Sequence, residues 1–354
     1  MLQNVCHIGV SQNVNGGISS VLSSYKKNFD LPLNNFWCSY NGSFVKSLPL
    51  VLRLCLRILF CSDQRFIGYQ LHMSSYGSFF RAYAIAFCLY LKKKKYVVHT
   101  HGSELQQFCE ETSSCVKKMI RGFFKRASGI IAITENMKDF LNGYVGENLP
   151  VFVIPNPCDS IADSLVEKSE GNECVKIVFS GQYGKRKGVY DLLDAFDKCN
   201  FHTPVELHLF GNGEVEQVRS RALSLKKSKS VFVSGWTEHE AYLKKLPSFD
   251  FLVLPSYAET FGMSLVEAMG QGLPVVSTFS GGIPNVVDNG RTGILINAGD
   301  VDALKSALET MVENSQIRKE MGLTAWKDVS EKYTVRIVLE QLENMYTQIC
   351  SESC

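Results

Sequence analysis

Glu259-Thr-Phe-Gly-Met-Ser-Leu-Val-Glu267 stands between two short apolar runs, 251–255 and 274–277, with Gly270 and Gly272 just before the second. Runs of four or five apolar residues bounded by glycine and proline read as buried strands, and 262–270 reads as a helix. Strand, turn, helix, turn, strand is the repeating unit of a doubly wound α/β domain. In such a unit Glu259 lies in the turn and Glu267 about two turns into the helix. The helix N-terminus offers unpaired N–H groups and a partial positive charge. Two carboxylates beside it can accept hydrogen bonds from neutral hydroxyls, while the N–H groups take an anion. A sugar, a diphosphate and a ribose together call for that mixture. An isolated E-x7-E would be better explained as a capping acid and a solvated helix residue. The order of the flanking elements favours a ligand site.

The same alternation extends in both directions. In the second half it predicts strands over 176–179, 205–210 and 230–234, and helices over 188–197, 214–225, 238–246 and 301–314. In the first half it predicts strands over 5–10, 66–72, 96–100, 129–134 and 151–154. Helices are expected from Gly16-Gly17-Ile18 to about residue 27, and over 79–91, 116–127 and 135–141. Pro155-Asn-Pro157 and the polar stretch 159–172 break the pattern. The reading is α/β, with two doubly wound Rossmann-like domains at 1–160 and 161–335. Residues 336–354 form a final helix that returns to the first domain. A chain of 354 residues suits two domains. Two such domains facing across a cleft make the architecture called GT-B.

Charge is unevenly divided. Residues 1–160 hold 17 Lys/Arg against 9 Asp/Glu, and the remainder 20 against 26, which restores the net +2. A basic half points to an anionic partner. In 116–127 the residues Val116, Ile120, Phe123 and Phe124 share a helical face flanked by Lys117, Lys118, Arg121 and Lys125, which suits an anionic membrane surface. Lys92–Lys95 and the Arg53/Arg57 pair in an apolar helix add to that reading. The commoner explanation of such a helix is a core-facing side with a solvated basic face. No nucleic-acid-binding motif is present. The twelve cysteines show no C-x-x-C spacing, which argues against zinc and for reduced thiols in a cytosolic protein with no signal peptide. No apolar run reaches the roughly 18 residues of a spanning helix. Asp300-Val-Asp302 precedes an apolar helical pattern and reads as a helix cap rather than a metal site. G-x-G-x-x-G is absent, against a nicotinamide cofactor.

Several ordered motifs together resemble glycosyltransferase family 4, retaining enzymes of GT-B fold. They are Glu259-Thr-Phe-Gly…Glu267-Ala-Met…Gly272-Leu-Pro-Val-Val, Ile154-Pro-Asn156, Lys187-Gly188 with Leu192-Leu193, Leu209-Phe-Gly211-Asn-Gly213, Gly235-Trp236 and Asn289-Gly290…Thr292-Gly293. The resemblance spans nearly the whole chain. It implies that Glu259 holds hydroxyls of a donor sugar and Glu267 the ribose, and that backbone N–H groups at Phe261-Gly262 face the leaving diphosphate. Lys187 neutralises that diphosphate. The family's second cation is an arginine directly after the glycine, but Gly181 is followed here by Gln182, a donor without charge, so Lys185 or Arg186 would have to replace it. Gly213 belongs to the donor pocket. His101, just past the strand 96–100, resembles the family's histidine near the reacting centre. His72 and Ser103 are candidate acceptor contacts, and Gly16 and Gly17 resemble glycines that let the backbone approach the donor phosphate.

The resemblance implies front-face transfer with no metal and no cofactor beyond a UDP-, GDP- or ADP-sugar. The expected protein is a hexosyltransferase acting on a lipid-linked saccharide in O-antigen, capsule or lipopolysaccharide assembly. It would be cytoplasmic and peripheral at the inner face of the plasma membrane. The alternatives are another GT-B enzyme, such as an epimerase or phosphorylase, or a non-catalytic GT-B subunit, which Gln182 favours. A glycosidase pair is disfavoured because both glutamates sit in one turn-and-helix unit.

Overall fold

In the computed structural model, residues 2–11, 17–29, 31–61, 65–146, 148–165 and 174–351 are described. The chain divides into two compact units, Met1–Pro157 with Val335–Cys354, and Cys158–Thr334. The first unit contains β1 (Val5–Val10), α1 (Gly17–Asn28), β2 (Phe36–Tyr40), α2 (Phe44–Phe60), β3 (Gly68–Met73), α3 (Gly77–Leu91), β4 (Tyr96–Thr100), α4 (Leu105–Glu111), α5 (Ser114–Lys125), β5 (Gly129–Ala132), α6 (Glu135–Val145) and β6 (Val151–Val153). The second contains β7 (Val175–Ser180), α7 (Val189–Lys198), β8 (Val205–Phe210), α8 (Val215–Leu223), β9 (Val231–Ser234), α9 (His239–Lys245), β10 (Phe251–Val253), α10 (Met263–Gly270), β11 (Val275–Thr278), α11 (Ile283–Val286), β12 (Gly293–Ile296), α12 (Val301–Glu313) and α13 (Ser315–Lys332). The last helix, α14 (Val335–Ser351), belongs to the first unit.

Each unit is built on a six-stranded parallel sheet, ordered β2-β1-β3-β4-β5-β6 and β12-β11-β10-β7-β8-β9. These are two Rossmann-like α/β layers, and the second has the 3-2-1-4-5-6 order of dinucleotide-binding sheets. The central strands are buried on both faces because helices cover both, as in β3 and β4, whose residues are all buried. Helices take their faces from apolar spacing. In α7, Val189, Leu192, Leu193 and Phe196 recur at three- and four-residue steps and are fully buried.

Two strands, the helix α4 and the four-residue helix α11 escape the sequence reading. β2 is an edge strand whose Phe36-Trp-Cys-Ser-Tyr40 alternates buried and half-buried positions. β12 follows the Asn289-Gly290 turn at once, so the turn signal masks it. α4 has only seven residues. The membrane-facing reading of 116–127 is overturned: Ile120, Phe123 and Phe124 of α5 are buried. Phe123 packs edge-on to Phe79 at 5.5 Å, and its carbonyl accepts the Tyr96 hydroxyl at 2.8 Å. The apolar side of α5 is core, and only its basic side meets solvent.

The helix α14 packs on the first sheet. Val338, Leu342, Met345, Tyr346 and Ile349 join Val5, Tyr25, Val97 and Ile131 in one cluster. Beneath it lies a polar seam. The registers His7↔Gln70 and His72↔His99, with the two-residue period of a strand, put His7, Gln70, His72 and His99 on one face. Tyr346 donates to Gln70 Oε1 at 2.9 Å, and the Gln70 amide meets His99 Nδ1 at 2.8 Å. His72 bridges His7 at 3.3 Å and His101 at 3.0 Å. Burial holds these imidazoles neutral. It pushes His7 and His101 down to about 3, and with help from the neighbouring rings it holds His72 and His99 well below the ordinary histidine range.

Between about pH 6.5 and 3 the unfolded chain therefore takes up protons that the native seam refuses. Stability should fall with falling pH in that window, by about 1.4 kcal/mol per pH unit for each such histidine. Urea unfolding at pH 7.5 and at 5 is expected to show a lower midpoint at pH 5, and His7→Asn should reduce that difference. Equal slopes in the variant and the parent would remove His7 from this account.

Candidate functional site

In an open doubly wound sheet, ligands bind beyond the carboxyl ends of the strands where the strand order reverses. In the second unit the reversal falls between β7 and β10, which are hydrogen-bonded neighbours. The loop after β7 carries Gln182 and Lys187, and the loop after β10 carries Glu259. Here the structure brings two of the named residues together: the Lys187 ammonium is ion-paired with Glu259 Oε1, and both side chains are largely shielded from solvent.

The backbone sets this pairing. Gly188 has φ +69°, and a Cβ there would lie 2.1 Å from the Pro255 carbonyl, so only glycine lets the β7 loop rest against the end of β10. The Tyr257 N–H donates to the Arg186 carbonyl at 2.8 Å, and the Tyr257 hydroxyl to Asp191 at 2.8 Å. From the other side Gly281, at φ +56°, lies where a Cβ would stand 2.0 Å from the Glu259 carbonyl, and that carbonyl accepts the Gly282 N–H at 3.0 Å. Glu259 is clamped by main chain on both sides.

Gly262 caps α10 in the left-handed conformation, φ +81°. The first-turn N–H groups of α10 thus open just after Glu259. Phe261 turns its ring into the core, edge-on to Tyr333 at 5.3 Å, so only its backbone can serve a ligand. Glu267 is buried, and its Oε1 meets His239 Nε2 at 2.9 Å. His239, at the start of α9, is a partner that spacing along the chain does not reveal, since it lies 28 residues away. Gln182 is exposed and adjoins Gly213, whose ideal Cβ would lie 3.2 Å from Gln182 Cγ. Arg186 is exposed, and its guanidinium reaches 3.5 Å from the Ala258 carbonyl, on the Glu259 side of the loop. Asp300 accepts the Ala303 N–H at 2.9 Å and caps α12.

In the first unit the reversal lies between β1 and β3. His72 is in β3 and His101 follows β4, with their rings stacked 5.3 Å apart. The Ser74 and Ser75 hydroxyls crowd Gly102, at 2.7 and 2.8 Å from where a Cβ would stand. Ser103, next in the chain, is half-buried. Gly17 begins α1 in open space, and Gly16 lies outside the described residues. One nitrogen from each of His72, His99 and His101 falls within 4.8 Å of the others, the grouping among the described residues with the donor set for a metal ion. His72 Nδ1 already faces His101 Nε2, and His99 Nδ1 already faces Gln70.

Comparison with known proteins gives these positions a family. Residues 127–328, more than half of the chain, match the family described as Glycosyl transferases group 1, and residues 44–160 match Glycosyltransferase Family 4. Among curated relatives, N-acetyl-alpha-D-glucosaminyl L-malate synthase of Bacillus anthracis is 26% identical over 75% of this chain and 73% of its own length. A capsular polysaccharide biosynthesis glycosyltransferase of Staphylococcus aureus is 27% identical over 51% of this chain and 48% of its own. Among solved structures, Anabaena HepE in complex with UDP-glucose superposes with a TM-score of 0.74 at 18% identity, covering 97% of this chain and 99% of that one, a likeness of fold. The two parallel sheets, their strand order and these matches agree: the chain is a glycosyltransferase of GT-B fold and belongs to the glycosyl transferases group 1 family.

Proposed function

We propose that this glycosyltransferase moves a hexose-type sugar, with retention of configuration, from a UDP-, GDP- or ADP-sugar to a lipid-linked saccharide. The observation that carries the donor half of this reading is the Lys187–Glu259 pair at the switch point, beside the N-terminus of α10. A sugar diphosphate needs a hydroxyl acceptor and an anion site side by side, and this pair supplies both. Each ion neutralises the other until a donor arrives. Glu259 then turns to sugar hydroxyls and Lys187 to the diphosphate. The α10 N–H groups at Phe261-Gly262 add to the anion site. Arg186 is assigned the charge that Gln182 lacks, because it lies on the Glu259 side of the loop. Gln182 and Gly213 border the nucleotide, and Glu267, oriented by His239, takes the ribose. The solved neighbour in complex with UDP-glucose supports a nucleotide-sugar donor.

Catalysis in this reading is orientation and charge stabilisation. The departing diphosphate is met by lysine, arginine and helix N-terminus, so no metal is called for. His101 is assigned to the reacting centre, His72 and Ser103 to the acceptor, and Gly16 and Gly17 to the donor phosphate. The capsular relative supports a place in O-antigen, capsule or lipopolysaccharide assembly. A lipid-linked acceptor would put the enzyme at the cytoplasmic face of the membrane, on an anionic lipid surface.

Three outcomes are expected. A thermal-shift screen of UDP-, GDP- and ADP-sugars should find a donor, and Lys187→Ala should weaken its binding by about 10- to 100-fold in calorimetry, the worth of one charge-assisted hydrogen bond. Unchanged affinity would remove Lys187 from the site. With that donor, Glu259→Ala should lower transfer by about 100-fold or more while the chain stays folded by circular dichroism; parental turnover would sink the assignment. Transfer should also persist in excess EDTA, and a loss restored by added divalent ion would overturn the metal-free reading.

A further inference from the structure

The helix α2 has two apolar faces, and the fold covers one of them. Ser47, Val51, Leu54 and Ile58 are buried in the first unit. Val45, Leu48, Leu52, Leu56 and Phe60 recur three or four residues apart on another side and stand 77, 64, 59, 47 and 79% exposed. Exposed apolar residues scattered singly need no explanation, but five in one stripe do. Lys46, Arg53 and Arg57 flank the stripe along one edge, and Arg57 is held with its guanidinium 4.1 Å over the Trp37 ring. The neighbouring helix α3 packs against α2 and presents a second row, Phe80, Phe87 and Leu91, each about half exposed and followed by Lys92 and Lys93. Neither helix contains an acidic residue. From Phe44 to Lys95 the sequence holds nine Lys/Arg and one acid, Asp63.

We infer that the exposed face of α2, with α3 beside it, is the surface by which this protein docks on an anionic lipid bilayer. The argument is one of charge and geometry. An apolar stripe with a basic border and no acid fits a layer whose headgroups are negative and whose interior is hydrocarbon. A protein partner would ordinarily be met with charges of both signs. Seventeen residues at about 1.5 Å rise make a helix of about 25 Å, and no described helix is long and apolar enough to cross a membrane. The helix therefore lies in the interface, with leucines and Phe60 below the headgroups and arginines among them. This deepens the membrane placement proposed above and moves it from α5, whose apolar side is core, to α2.

Flotation with vesicles of phosphatidylcholine and phosphatidylglycerol tests it. The full chain should float with anionic vesicles and keep part of that binding at 0.5 M salt, where headgroup attraction is screened. Leu48→Ser/Leu52→Ser/Leu56→Ser/Phe60→Ser should float at least ten-fold less while keeping the parental melting temperature and the parental affinity for the nucleotide sugar. A parent that floats together with a variant that floats equally well would overturn the α2 surface and leave the membrane placement standing. A parent that never floats would overturn both. A parent that is a dimer by light scattering, does not float, and becomes monomeric in the variant would show that a second copy covers this face, and would also overturn the inference. Arg53→Gln and Lys92→Gln/Lys93→Gln should each weaken flotation at low salt and have little effect at 0.5 M.

Discussion

The close approach of Gly188 to Pro255 is the constraint on which the second unit's site depends. Parallel strands β7 and β10 are neighbours in the sheet but 70 residues apart in the chain, so their loops meet only if one backbone can lie against the other. A side chain at Gly188 would collide with the Pro255 carbonyl at 2.1 Å. Its absence lets Lys187 sit on Glu259, and Gly281 packs against the main-chain carbonyl of that same glutamate. Two glycines therefore position the opposite charges of the candidate site. Neither glycine touches the ligand in the proposed reading, yet each decides where the charged groups stand.

The first unit solves a different problem. Its sheet buries three histidines and a glutamine under α14, with His101 half-buried just past β4, and burial without partners would be costly. Neutral imidazole suits this place because it offers one donor and one acceptor, so the rings can pass hydrogen bonds along the strand ends from His7 through His72 to His101. Tyr346 joins the seam through Gln70 from the far end of the chain. The last helix thus belongs to the polar core of the unit that the first strand begins.

Two basic amphipathic helices show how packing divides similar sequences. Both α2 and α5 carry an apolar stripe beside lysines and arginines. In α5 that stripe closes over Phe79 and Tyr96 and leaves only charge outside. α2 has enough apolar residues for two stripes, and the sheet can cover just one. The second remains at the surface with its basic border, which turns an element of the core into a candidate docking face.

Much of this was legible in the chain. Short apolar runs separated by glycine-marked turns and helical spacing sufficed for two α/β layers, because strand and helix periodicities are local. The Glu259–Glu267 stretch stood out because turn chemistry and helix N-termini act within a few residues, whereas Lys187-Gly188 drew notice through the resemblance to the family. What the chain could not show was contact across distance. The Lys187–Glu259 pair, the His239 contact on Glu267, and the Tyr346–Gln70 bond join residues 72, 28 and 276 positions apart. Only the stacking of strands in their final order brings them together. The same holds for which face of α2 and of α5 meets water. Spacing along a helix defines its apolar sides, but the tertiary structure decides which of them is covered, because burial is a property of neighbours and not of sequence.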